Sequence, residues 1–337
     1  MPATGVPELA DVFDSLSSAF DDAATGGVVE RTVTIAGFRM RLLFAGPAMP
    51  GVVFPALAHA DEANPGDPVD ITVKVWDTAS TGTRLQSAPM LLVAGVSPVQ
   101  PLYVSSEIRV AFRGWESTVT AYHRRRREAL WCVADATSVA AYDVAYPMKD
   151  LLQWWMADHE LHLAHSASVG MAGRGVLLPG PSGAGKSTVA ALCRRAGMAF
   201  AGDDYVLVGV EPPRVHGVFN SNRLDPNLSN LDPTLFPALA TEEDKAIEFS
   251  DAAASLDLAA IVLPRVCPGR RAALRPGRRG AALLALGPPT ALQLPTGGAE
   301  AIPQLAAVVR ALPVYELDVG DDLDRVPGLV RGVLGPS

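Results

Sequence analysis

From Pro7 to Phe20 the apolar residues Leu9, Val12, Phe13, Leu16 and Phe20 recur at three- and four-residue steps, the spacing that lays one apolar stripe along a helix. Gly26-Gly27 ends that pattern. The period then changes to two. Thr32 to Ile35 and Phe38 to Phe44 predict a hairpin turning near Gly37, and Ile71-Thr72-Val73-Lys74-Val75-Trp76 alternates throughout, as a strand with one buried face does. After a polar loop around Ser80 to Ser87, strands are expected at Leu102 to Val104, Ile108 to Phe112, Thr118 to Tyr122 and Ala129 to Val133. From about Pro147 to Asp158 helical spacing returns, with Leu151, Leu152, Trp154, Trp155 and Met156 as core or domain-interface residues.

Beyond that helix the apolar positions come in short unbroken runs. Gly175-Val176-Leu177-Leu178, Tyr205-Val206-Leu207-Val208 and Ala260-Ile261-Val262-Leu263 read as strands buried on both faces. Ile302 to Leu312 and Leu323 to Leu334 read as helices around the strand Val314-Tyr315-Glu316-Leu317. Strands alternating with helices predict an α/β fold with a mainly parallel sheet covered on both faces. The expected organisation is a β-rich α+β N-terminal domain over 1–146 and an α/β domain over 147–337.

Composition narrows the class. With 337 residues, 49% hydrophobic and 19% charged, the chain buries a full core and is not disordered. A formal net charge of −8 disfavours broad nucleic-acid binding. The three cysteines, Cys132, Cys193 and Cys267, have neither metal spacing nor the even count of a disulfide framework, which fits a reducing cytoplasm. No apolar run approaches the roughly 18–20 residues that span a bilayer, and Met1-Pro2-Ala3-Thr4 does not open a basic-then-apolar leader. The expected partners therefore include neither membrane nor nucleic acid.

One segment carries definite chemistry. Gly180-Pro181-Ser182-Gly183-Ala184-Gly185-Lys186-Ser187-Thr188 lies between the apolar run ending at Leu178 and the helical pattern Val189-Ala190-Ala191-Leu192. That is a Walker A loop, or P-loop, in strand-loop-helix context. A nucleoside triphosphate concentrates negative charge that only many donors together can satisfy. Glycines let the backbone turn its N–H groups inward, Lys186 reaches the terminal phosphates, and the Ser187 hydroxyl takes a magnesium ion at a helix start whose dipole also favours anions. ATP and Mg2+ are the expected cofactors.

A second feature lies downstream. Asp203-Asp204 precedes the strand Tyr205 to Val208, so the carboxylates belong at a strand end, where open α/β sheets bind ligands. One carboxylate can hold magnesium while the other takes a proton from an attacking hydroxyl. Arg223 and Arg265 each follow an expected strand and could clamp phosphate. The run His123-Arg124-Arg125-Arg126-Arg127 reads as a solvated strand end or turn. His159-Glu160-Leu161-His162 lacks the four-residue histidine spacing of a zinc-protease helix.

Taken together, His165, Gly173-Arg174-Gly175-Val176-Leu177-Leu178, the P-loop, Arg195-Ala196-Gly197 and Asp203-Asp204 resemble, in order and spacing over about forty residues, the catalytic core of the HPr kinase/phosphorylase family. The resemblance implies a P-loop kinase domain of that type. In it Asp203 is the base, Asp204 its metal or base partner, His165 a proton-relaying or tuning residue, and Gly180, Ser182 to Thr188 the nucleotide cradle. It implies phosphoryl transfer to a serine-type hydroxyl of a peptide or protein, and a homo-oligomer. Thr188 stands where the family usually has an acidic residue, and the downstream Arg-Gly-rich signature of the reverse reaction is absent. The stretches Val218-Phe219-Asn220-Ser221-Asn222-Arg223-Leu224-Asp225 and Ile261-Val262-Leu263-Pro264-Arg265 are similar to those of peptide-modifying relatives such as lasso-peptide kinases. A small-molecule hydroxyl kinase and a nucleotide-binding scaffold or ATPase are the alternatives. The N-terminal half is expected to recruit the substrate.

Overall fold

A computed structural model describes residues 8–61, 67–83, 102–113, 118–224 and 246–335. Pro7, the later part of the loop expected at Ser80 to Ser87, and Asp225 lie outside the described residues. The chain is mixed α/β and divides into two compact units, 1–155 and 156–337. The division falls later than the one expected after residue 146.

In the first unit, α1 (Leu9–Ala24) buries Val12, Phe13, Leu16, Ala19, Phe20 and Ala23 on one face. Their spacing leaves the other face polar. The strands are β1 (Val28–Ile35), β2 (Phe38–Ala45), β3 (Ile71–Asp77), β4 (Leu102–Val104), β5 (Ile108–Arg113), β6 (Thr118–His123) and β7 (Glu128–Val133). They form one seven-stranded sheet in the order β1-β2-β3-β7-β6-β5-β4, with β3 parallel to both neighbours. The apolar face of α1 shares a core with Trp76, Val110, Phe112, Val119, Leu130 and Cys132 from that sheet. Short helices α2 (Met49–Val53), α3 (Thr78–Thr81) and α4 (Ala141–Ala145) occupy the connections, and α5 (Lys149–Ala157) carries the chain across the boundary.

The second unit contains β8 (His162–Met171), β9 (Arg174–Pro179), α6 (Lys186–Arg195), β10 (Ala199–Gly202), β11 (Tyr205–Val210), β12 (Pro213–His216), β13 (Ser221–Leu224), β14 (Ala246–Phe249), β15 (Ser255–Val266) and β16 (Ala273–Pro276). It then runs through α7 (Arg279–Gln293), α8 (Ile302–Ala311), β17 (Val314–Val319) and α9 (Val326–Leu334). Eight strands make the main sheet, while β13 and β14 pair only with each other. Val176 and Leu178 of β9 face a core shared with α6 and α9. Leu177 between them faces a second core with α7 and α8. Both faces are therefore covered, and each fully buried aliphatic side chain contributes about 1.5–3 kcal/mol.

The expectation of a mainly parallel sheet does not hold. Only β15 runs parallel to its partners β9 and β17; the other pairings of this sheet are antiparallel. A tight turn is the reason at β8–β9. Ala172 and Gly173 both have positive φ, 51° and 77°, as a two-residue hairpin connection requires. The helix after β9 then returns the chain to β10 beside β8, not to a parallel neighbour of β9.

Among the elements that the hydropathy pattern did not announce are β8 and α7. β8 reads His-Leu-Ala-His-Ser-Ala-Ser-Val-Gly-Met, without alternation, because nearly every position is buried and small or polar residues serve the crowded side. α7 holds Pro288 and Pro289 inside its span, residues that ordinarily mark a break.

Candidate functional site

β8 organises the site. β10 and β11 run along it as one antiparallel stretch, pairing Ala199 with Gly170 at one end and Val208 with His162 at the other. Asp203-Asp204 interrupts this stretch, and such interruptions re-aim side chains. Tyr205 donates its N–H to the Asp203 carbonyl at 2.7 Å, closing a three-residue turn around Asp204, whose φ is +60°. A non-glycine residue in that region is strained and persists where its surroundings demand it. Ser166 N–H donates to the Asp204 carbonyl at 3.1 Å. Ser166 also faces Pro179 across the β8–β9 pair, so the P-loop leaves the sheet at the level where the carboxylates enter. The aspartates lie at strand ends as expected, between the last residue of β10 and the first of β11.

The loop has the shape its glycines allow. Gly183 and Gly185 have φ of 79° and 98°, conformations that carry no steric cost only without a side chain. Lys186 folds back on the loop, donating from Nζ to the carbonyls of Gly180 at 3.0 Å and Pro181 at 3.3 Å. The next residue makes the decisive contact. Ser187 Oγ donates to Asp203 Oδ1 at 3.1 Å, joining the loop to the aspartate pair. Asp203 is fully buried, and its other oxygen, Oδ2, has no hydrogen-bond partner. Burial pushes this carboxyl up to about 7, the adjacent Asp204 adds to the rise, and Ser187 and Lys186 offset part of it. A carboxyl in that range is matched to accept a proton near neutral pH.

His165 lies on β8 opposite Tyr205, with the two rings edge to face at 5.8 Å. Its backbone N–H donates to Thr290 Oγ1 at 2.9 Å, so a fully buried threonine of α7 anchors this strand. Pro181, Ser182, Gly183 and Ala184 line a cleft of about 480 Å³ with Leu263, Pro264, Arg265, Val266 and Glu316. Arg265 is held there at 2.9 Å from Asp318. Arg275 and Arg265 hold the Asp318 carboxyl down to about 2 against the opposing effect of its partial burial. Arg223 lies elsewhere, on β13, which packs against α6. Thr188 is buried within the first turn of α6.

The unbonded Asp203 Oδ2 beside the Ser187 hydroxyl is a donor set of the kind magnesium takes, since that ion usually binds one or two protein groups and completes its shell with phosphate and water. Ser187 and Asp204 are the expected metal residues; the Ser187 hydroxyl bonds Asp203, the neighbour of Asp204. Among the described residues no cluster of three His, Cys, Asp or Glu could hold a metal by itself. His162, with His159 and Glu160 before it, opens a strand and does not sit on a helix, which removes the zinc-protease geometry. Thr290, Ser166, Asn220 and Asn222 were not singled out in the sequence. The asparagines lie in the quoted stretch ahead of Asp225, and only burial distinguishes them.

Compared with known proteins, the chain matches no family model, and no curated protein matches it in sequence. Among the described residues no helix is long and apolar enough to cross a membrane.

Proposed function

We propose that the second unit is an ATP- and Mg2+-dependent kinase of the HPr-kinase type, transferring the γ-phosphoryl group to a serine-type hydroxyl of a peptide or protein. The observation that carries this reading is the Ser187–Asp203 contact. It ties the phosphate-binding loop to a buried carboxyl whose affinity for a proton suits a base. Any P-loop protein holds one carboxylate beside its loop serine for magnesium; the adjacent Asp203-Asp204 pair supplies one more, which leaves a carboxylate for the acceptor's proton. Ser187 with an oxygen of the aspartate pair would hold magnesium, whose charge offsets that of the phosphates.

Lys186 and the loop N–H groups would bind the β- and γ-phosphates, and the cleft bounded by Leu263 to Val266 has room for the nucleoside. In the transfer the acceptor oxygen bonds the γ-phosphorus while the bond to the β–γ bridging oxygen breaks, its electron pair leaving on ADP. The acceptor proton passes to Asp203. His165, one strand position from the Asp204 contact of Ser166, would tune that carboxyl pair. The first unit is assigned to recruiting the substrate.

Labelled ATP and Mg2+ incubated with serine-containing peptides test this. Transfer that disappears in Asp203→Asn is the expected result, with ATP still bound; Lys186→Ala loses ATP binding. ATP bound without transfer to any acceptor would replace the kinase with a scaffold.

A further inference from the structure

A strand inside a sheet has a neighbour on each side, and its successive N–H groups point alternately to one and to the other. β8 keeps this rule up to the site. Ser166 donates its N–H to the Asp204 carbonyl on the β11 side at 3.1 Å, so the N–H of His165 points to the β9 side. There β9 has already ended. Its last pair joins Ser166 to Pro179, and one step further the register would set His165 opposite Gly180. Gly180 has instead left the sheet to open the P-loop, and its carbonyl accepts from Lys186 Nζ at 3.0 Å.

A buried backbone N–H that loses its strand partner is costly unless another acceptor meets it. α7 supplies that acceptor. Thr290, fully buried, takes the His165 N–H on Oγ1 at 2.9 Å. The chain passes close behind this turn of the helix: a Cβ on Gly298 would lie 2.4 Å from the Thr290 carbonyl oxygen, so glycine there lets Thr290 be seated. At the end of the same helix the Gln293 carbonyl accepts from the Tyr205 hydroxyl at 3.4 Å. α7 thus holds both members of the His165–Tyr205 ring pair. Valine has nearly the shape of threonine and would suit a buried helix face better, so the hydroxyl is explained by the N–H it meets.

From this we propose that Thr290 is a positioning residue of the phosphate site: by taking the His165 N–H it lets Gly180 stay out of the sheet, with its carbonyl turned to Lys186 and the loop open for phosphate. Without the hydroxyl, the acceptor that the register offers to His165 is the Gly180 carbonyl. Pairing with it would extend β9 into the loop, and the loop N–H groups would no longer converge on the phosphates. The proposal rests on the nucleotide-binding part of the reading above and not on transfer to an acceptor.

The test is the binding of Mg·ATP to the full chain, read by titration calorimetry. Thr290→Val and the smaller Thr290→Ala are each expected to raise Kd about tenfold, and Thr290→Ser, which keeps the hydroxyl, to stay within about twofold of wild type. Leu286→Ala separates positioning from loss of stability. Leu286 is fully buried on the same helix, and its truncation should lower Tm at least as much as either Thr290 variant while leaving Kd within about twofold of wild type. An unchanged Kd in Thr290→Val and Thr290→Ala would overturn the proposal, and so would a full loss of affinity shared by Thr290→Ser or by Leu286→Ala. If Thr290→Val does not fold, Thr290→Ala decides. A wild type that binds Mg·ATP but phosphorylates no peptide removes the kinase reading and leaves Thr290 to be judged by the same Kd values, whereas a wild type that binds no Mg·ATP removes both.

Discussion

The two units bury charge in opposite ways. In the first, Arg113 at the end of β5, Asp143 in α4, and Lys149 and Asp150 at the start of α5 are all buried. Lys149 bonds Asp143 at 2.8 Å, Arg113 bonds the same carboxylate at 3.1 Å, and Arg113 also bonds Asp150. Lys149 further lies 4.6 Å above the Tyr142 ring. Burial pushes the Asp143 carboxyl up, but the two cations more than offset that and hold it below the usual carboxylate range. Two cations face two anions, and the group is closed. In the second unit Asp203 is buried beside another carboxylate, with one oxygen unbonded and its proton affinity raised. Burial of charge therefore does not mark a site; an unbalanced partner set does.

Removing one carboxylate from each place should give stability changes of opposite sign. Asp143→Ala leaves Lys149 without its carboxylate and Arg113 half paired, which should cost about 3–5 kcal/mol, read as a lowered midpoint in chemical denaturation. A cost below about 1 kcal/mol would mean the cluster is more hydrated than its burial indicates. Asp203→Asn should instead lower phosphoryl transfer about 10²–10⁴-fold, the usual share of a general base, while raising thermal stability at alkaline pH. If it destabilised the fold like Asp143→Ala, Asp203 would be a structural residue and the contrast would collapse.

The pH dependence sharpens this. The folded-state pKa of Asp203 is raised from 3.8 to about 7, so its stabilising contribution is complete at low pH and is lost as pH rises through about 7. Stability curves of wild type and Asp203→Asn should nearly coincide near the unfolded carboxyl pKa and diverge in favour of the variant toward pH 8. Transfer runs the other way, because the base must be ionised, and should rise with pH to a plateau. The smallest change is expected from Arg265→Ala, whose side chain is 59% exposed. It should leave Tm unchanged and weaken ATP binding about two- to fivefold, measured by titration.

Much of the first unit was visible in the pattern of the chain. The stripe from Leu9 to Phe20, the hairpin around Gly37 and the later strands all correspond to observed elements, because α1 buries one face and the strands are runs of β-branched, aromatic and aliphatic residues bounded by polar turns. The second unit was legible only where its strands are continuous aliphatic runs. β8 carries His165 and Ser166 at the heart of the site, yet it has no periodicity, since both its faces are covered. The helix across Pro288 and Pro289 was hidden by residues that usually end one. The candidate site divides similarly: the loop from Gly180 to Thr188 declared itself by local spacing, whereas Thr290 and Ser166 are ordinary polar residues until their surroundings are known.

The amino-acid order alone determined the phosphate-binding loop, the placing of Lys186 and Ser187 at its end, and the succession of most strands and helices. Turn geometry and side-chain periodicity act over a few residues and are written locally. Tertiary structure decided that β8 lies between the loop strand and the aspartate turn, that most strand pairs run antiparallel, that Ser187 meets Asp203, and that Thr290 meets the His165 N–H. Those outcomes depend on which distant strands pair and on how much water each polar group loses, and both are properties of the assembled sheet.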